Sequence, residues 1–388
     1  MLDWSTILGP RRLRVSRLWY SVLPQECSQS CNSAESISME FHPRYTDLIA
    51  LLDALISKLC LMPSLEDVAL QTIQVILLYA QWMPCGQEHG NSTSTHRHQR
   101  SRYNDVSAYT ILGLALRFAK VIDLEKDATL PFLQSDKSAS TSDVDRLRVW
   151  NNLIACHYNL MLNSRFDASV DPRPAASASK QMILHHAAQQ PEDTRVAALV
   201  DLSVILYRTK QGLGTSSRLP LDGPSLRRAN VEFDEWERSW RPRLSETAFQ
   251  HSSIPFTSLR WYRLAMNSAS LGSLLSAKEP SSSRPTPLWR LQSLETSLTA
   301  ASQMLMALSN SAPEKIWDLD SQNADSFPSG YYTENLAACK RLSYAVDSTW
   351  ISHTFAAAFL VLCYVRKVID GTVHCFRSST WQFLTKYR

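Results

Sequence analysis

The sequence predicts an all-α protein, a multi-helix bundle, and three observations carry that prediction. Apolar residues recur at helical spacing in segment after segment along the 388 residues. Only 10 glycines occur, well below the usual share of about 7%, which disfavours a turn-rich β fold. No run of alternating residues is long enough to build a sheet. A fixed-period repeat is also missing, which argues against a regular helical solenoid. At 44% hydrophobic and 20% charged, the chain has the composition of a globular protein with a real core.

The elements follow in order. Residues 1–40 read as irregular, with Arg11, Arg12, Arg14 and Arg17 in a basic cluster ahead of a Ser/Gln/Asn-rich stretch. Residues 41–370 read as helical. The first helix, 45–61, carries Leu48, Leu52, Leu55 and Leu59. The next, 63–82, has Ser64 as N-cap candidate with Asp67 three residues on. The segment 106–124 places Ile111, Leu112, Ala115, Phe118, Ala119 and Ile122 on one face. Its small residues, Gly113 and Ala115, are expected to let a neighbouring helix approach closely. The segment 142–166 opens with Ser142 and Asp145 in capping-box spacing and carries Trp150, Leu153, His157, Leu160 and Met161. A helix over 192–213 presents Val196, Leu199, Val200, Leu206 and Tyr207 and stops at Gly212 and Gly214. Another over 226–240 aligns Phe233, Trp236 and Trp240 and ends at Pro242. Helices over 256–277, 287–309 and 347–369 close the set, and 371–388 forms a basic tail.

Charge and chemistry exclude several function classes. The net charge of +4, from 40 basic and 36 acidic residues, is too small and too evenly spread for a nucleic-acid footprint. Eight cysteines without framework spacing fit a reduced, intracellular protein. Asp3 and Pro10-Arg11-Arg12 interrupt any leader-like apolar run. The apolar stretch from Phe355 to Val365 falls short of the roughly 20 residues a bilayer requires, so no membrane partner is expected.

Gly212-x-Gly214 lacks the third glycine of a phosphate loop. Neither a nucleophile elbow nor an H-E-x-x-H helix occurs. His89, His96 and His98 lie near Cys85, but their spacing fits no standard zinc site and reads as a solvated loop. His157 reads as a satisfied core histidine, and Trp236 and Trp240 as packing anchors. Asp318, Asp320 and Asp325 do not form the paired carboxylates that a magnesium-dependent helical cyclase needs. No catalytic, cofactor-binding or metal-binding residue is assigned, and the chain is expected not to be an enzyme.

Two segments carry a resemblance. SAYTILGLALRFAKVIDLEKD spans 107–127 and DRLRVWNNLIACHYNLMLNSRFDASVDPRP spans 145–174. They are preceded by PSLEDVALQTIQVILLYAQWMP at 63–84 and followed by EFDEWERSW at 232–240 and FTSLRWYRLAMNSASLGSLL at 256–275. In order and spacing these resemble the regulatory middle domain of fungal zinc-cluster transcription factors, over roughly 43–365. The markers of the likeness are Gly113, Ala115, Arg117, Ala119, Arg148, Trp150, Trp236 and Trp240. Leu124-Glu125-Lys126 departs from the family's Leu-His-Arg, and Asn151 stands where a second aromatic often follows Trp150. No CxxC occurs anywhere in the chain, so the six-cysteine zinc cluster is missing.

The resemblance implies a nuclear transcription regulator controlling a metabolic pathway or biosynthetic gene cluster. It implies protein partners or a homodimer and leaves room for a small-molecule effector. It implies no specific DNA binding by this chain, and zinc only in a cluster lying upstream. Three rivals stand beside it. One is an interaction module or inhibitor partnering a DNA-binding relative. Another is an all-α enzyme with a cryptic site, and the third is a fragmentary gene product.

Overall fold

Helix follows helix through the described residues of the computed structural model: 45–81, 85–86, 100–101, 105–134, 138–163, 169–211, 221–245, 249–272, 275, 287–309, 335, 346–366 and 368. They form α1 (Tyr45–Leu61), α2 (Leu70–Gln81), α3 (Asp105–Val121), α4 (Leu124–Leu133), α5 (Thr141–Asn163) and α6 (Arg173–Met182). Then come α7 (Glu192–Gln211), α8 (Gly223–Ser245), α9 (Phe249–Ser268), α10 (Leu288–Met306) and α11 (Asp347–Val365). A two-residue antiparallel ladder joins Cys85–Gly86 to Arg100–Ser101. The protein is all-α. The expected irregular start and basic tail, and His89, His96 and His98, lie outside the described residues.

The core is one continuous cluster running from Ile56 on α1 to Cys363 on α11. Helix α5 lies at its centre and is buried nearly all round, with Val144, Leu147, Leu153, Ile154 and Tyr158 completely covered. It packs against α2, α3, α4, α6 and α7. Helix α7 is the bridge, touching α5 and α6 on one side and α8 and α9 on the other. Beyond it, α9 packs on α10 and α10 on α11.

Several boundaries differ from the sequence expectation, each for a local reason. The helix expected over 106–124 ends at Val121, because Asp123 takes a left-handed conformation (φ 52, ψ 30) and restarts the chain as α4. Aspartate tolerates that region better than most residues, so the stop comes without a glycine. The capping box of α5 is formed by Ser140 and Asp143, two residues earlier than expected. The Ser140 N–H donates to Asp143 Oδ2 at 2.8 Å and the Asp143 N–H donates to Ser140 Oγ at 3.3 Å. Asp145 instead engages Arg148.

Ser64 and Asp67 do form a capping box, but over a single 3-10 turn, and α2 begins only at Leu70. Helix α8 starts at Gly223, where the Asp222 carboxylate accepts the Ser225 N–H at 2.9 Å. It also runs through Pro242 instead of ending there, carrying the fully buried Leu244 into the core. Helix α11 is longer than the apolar stretch seen in the sequence. Its segment Ser348–Val365 is long and apolar enough by length and composition to cross a membrane. In this fold it packs against α10, with Ala356, Phe359, Leu360 and Cys363 buried.

Candidate functional site

Two buried ion networks stand among the described residues where helices meet. The first lies at the start of α5. The Arg148 side chain, 5% exposed, forks onto Asp193 of α7, Nε to Oδ1 at 2.9 Å and Nη2 to Oδ2 at 2.8 Å. Its Nη1 donates to Asp145 Oδ1 at 2.8 Å, and Nη2 also donates to the Ala187 carbonyl at 2.8 Å. Asp193 further accepts the Gln189 N–H at 2.7 Å. Burial by itself lowers the proton affinity of Arg148, but Asp193 and Asp145 outweigh it and hold the guanidinium above its ordinary value. The pair thus ties α5, the 187–189 turn and α7 together.

The second network joins α8, α9 and α10. Glu237 is completely buried between Phe233 and Trp240 on an otherwise apolar stripe. It accepts two hydrogen bonds from Arg260, at 2.7 and 2.8 Å, and one from Arg241 at 2.9 Å. Arg263 lies 3.7 Å away and donates to Asp234. Arg260 Nε reaches Gln303 on α10. Burial raises the Glu237 carboxyl, but the three guanidiniums overcome it and hold it below the usual carboxylate range. Arg263 is pushed down, by burial first and by its neighbour Arg260 second.

The residues singled out in the sequence fall into distinct roles. Ala115 and Ala119 are buried on α3, and Trp150 is 1% exposed on α5 with its indole N–H lacking a hydrogen-bond partner. Trp236 donates its indole N–H to the Ala198 carbonyl at 3.1 Å, and Trp240 donates to Asp201 Oδ2 at 2.7 Å. Both tryptophans therefore fasten α8 to α7. Arg117 is exposed and Gly113 half-buried. The close helix approach expected at Gly113 is not there. A methyl group at that position would meet only the Arg117 guanidinium, at 3.6 Å.

His157, 3% exposed, accepts the Ser169 N–H on Nε2 at 3.1 Å, and burial, aided by Lys210, pushes it down to about 4. It is held neutral as part of the core. Burial pushes the Cys156 thiol up to about 12 and the Cys363 thiol up to about 11, so neither supplies a thiolate. Among the described residues, no group of three or more His, Cys, Asp or Glu side chains is placed to hold a metal ion. What these networks can do chemically is fix helix register, because each buried charge is satisfied only in one arrangement of the helices.

The sequence singled out Arg148 but missed Asp193, which lies 45 residues away. It also missed Glu237, whose available signal was a carboxylate set into an apolar helical stripe. No known family, no curated protein and no solved structure matches this chain.

Proposed function

We propose that this chain is the helical regulatory domain of a fungal zinc-cluster-type transcription regulator, nuclear, and acting through protein contacts and not through DNA. The observation that carries this reading is the order of its motif helices. The Gly-Leu-Ala helix α3 packs on the Arg/Trp helix α5, and the paired-tryptophan helix α8 follows on the far side of α7. The burial of Arg148, Trp150, Trp236 and Trp240 supports treating these markers as the framework of such a domain. A bundle of this kind regulates by shifting between packed states when a ligand or partner prefers one of them. The ion networks at the α5–α7 and α8–α9–α10 contacts are the natural places for such states to differ.

The test is to fuse the full chain to an unrelated sequence-specific DNA-binding module in a fungal cell with a matching reporter. Reporter output is expected to rise or fall several-fold relative to the module alone, with the untethered protein concentrated in the nucleus. Output indistinguishable from the module alone overturns the reading.

A further inference from the structure

Among the described residues, helix α1 packs on the core along one side. Ile56 is buried, Leu52 and Leu59 pack against the core, and Asp53 accepts the Tyr79 hydroxyl at 2.8 Å. The opposite side leaves Leu51, Leu55 and Met62 exposed by 50, 41 and 73%. The helical bonding continues past Leu61, since the Met62 N–H donates to the Lys58 carbonyl at 2.8 Å. At about 100° per residue, Asp47, Leu51, Leu55, Lys58 and Met62 fall within about 80° of arc, so they form one stripe. The exposed Ala54 lies beside it. Leu51, Leu55 and Met62 together at helical spacing make a surface that water disfavours, unlike a single exposed leucine.

The order of residues along the stripe says what fits it. An acid stands near its start and a base near its end, with two leucines at equal distances from the level of Asp53. We propose that a second copy of this chain packs on this face, with the two α1 helices antiparallel about a two-fold axis at that level. The two-fold sets Leu51 of each copy against Leu55 of the other. It brings Asp47 of each copy to the end of the other helix that carries Lys58, so both ends of the seam are closed by opposite charges. A parallel pair would instead set Asp47 against Asp47 and Lys58 against Lys58. Within its own chain Lys58 meets Asp67 only at 4.0 Å and stays 58% exposed, which leaves its ammonium within reach of a partner. Ala54 next to the seam allows the two backbones to come close. The self-complementary charge pattern is what selects an identical chain over an unrelated partner.

The contact is small. A helix of 17 residues is about 25 Å long, and one such pair covers less than the roughly 800 Å² per partner of a standard interface. The dimer is therefore weak, with a dissociation constant on the order of 10–100 µM. This inference is independent of the transcriptional reading, since it concerns a surface and not the function of the bundle.

Sedimentation velocity on the full chain from about 2 to about 200 µM brackets that range. Mass is expected to shift from monomer towards dimer across it. Leu51→Glu with Leu55→Glu is expected to stay monomeric with unchanged helicity and melting, because both positions are exposed. Asp47→Lys alone should weaken the dimer by about tenfold or more. Asp47→Lys combined with Lys58→Asp should restore it, because the two-fold re-forms both pairs with the signs exchanged. A chain that remains monomeric at the highest concentration overturns the proposal, whether the stripe then meets another protein or the chain's own leading residues. So does a dimer indifferent to the two glutamates. A charge exchange that fails to recover binding overturns the antiparallel arrangement.

Discussion

Arg148 and Asp193 illustrate what a buried ion pair contributes. Both side chains have left water, at 5% and 4% exposure, and the hydrogen bonds they make cover most of their polar atoms. Removing one partner strands the other as a bare charge, which typically costs about 3–5 kcal/mol. Asp193→Ala is expected to lose that much in a urea titration. Arg148→Met combined with Asp193→Leu should recover most of it, because two apolar side chains of similar volume leave no charge unpaired. His157 makes a pH prediction at the same scale. Folded, it resists protonation down to about pH 4, through burial first and Lys210 second, whereas the unfolded chain takes up a proton near pH 6.5. Between those values the unfolded state holds more protons, so stability falls as pH drops from about 6.5 to about 4, by up to about 3 kcal/mol, and is flat above. His353, also lowered by burial, adds a slope of the same sign. His157→Gln should flatten the profile measured by urea titrations at successive pH values, and an unchanged slope would place the titration elsewhere.

Helices α8 and α10 approach closely at Gly223. A methyl group on Gly223 would stand 2.8 Å from Cγ of Trp289, at the base of the ring, where a side chain cannot easily swing away. Gly223→Ala gains about 0.5–1 kcal/mol of helix propensity but forces this contact apart, which costs about 1–3 kcal/mol. The clash wins, and a net loss of stability is expected. Trp289→Ala in the same chain should remove the penalty, giving a clear coupling energy in a double-mutant cycle; additive effects would mean that α8 yields freely. The elements legible in the sequence were those whose buried faces are large and apolar, such as α5 with Leu147, Trp150, Leu153 and Ile154 and α8 with Phe233, Trp236 and Trp240. Helices α4 and α6 were not legible, because each is only ten residues long and buries a single large apolar side chain, Leu124 or Met182, among small ones such as Ala128, Ala175, Ala176 and Ala178. The stop at Asp123 escaped notice for lack of a glycine, and the passage through Pro242 because a proline ordinarily ends a helix. Of the ion networks, Arg148 stood out by its place ahead of Trp150. Its partner, and the pairing of Glu237 with Arg260, depend on chain crossings that no local pattern encodes.

At the scale of the whole molecule, stability is unevenly distributed, and α5 and α1 mark its extremes. Helix α5 is enclosed by α2, α3, α4, α6 and α7, also touches α9 and α11, and is pinned by the Arg148 network, so its amides open only when the core does. Helix α1 packs on the core through Leu52, Ile56 and Leu59 and the Tyr79–Asp53 hydrogen bond, while Leu51, Leu55 and Met62 face solvent. Local opening should therefore expose α1 well before global unfolding exposes α5. Hydrogen exchange at low micromolar concentration is expected to label α1 at least tenfold faster than α5. Raising the concentration to about 200 µM separates two causes of that difference. If a second copy covers the Leu51–Leu55 stripe, α1 exchange slows with concentration while α5 stays constant, because only α1 gains a partner. Slow exchange in α1 equal to that of α5 at every concentration would mean that the helix belongs to the cooperative core, and its exposed leucines would then need a different explanation.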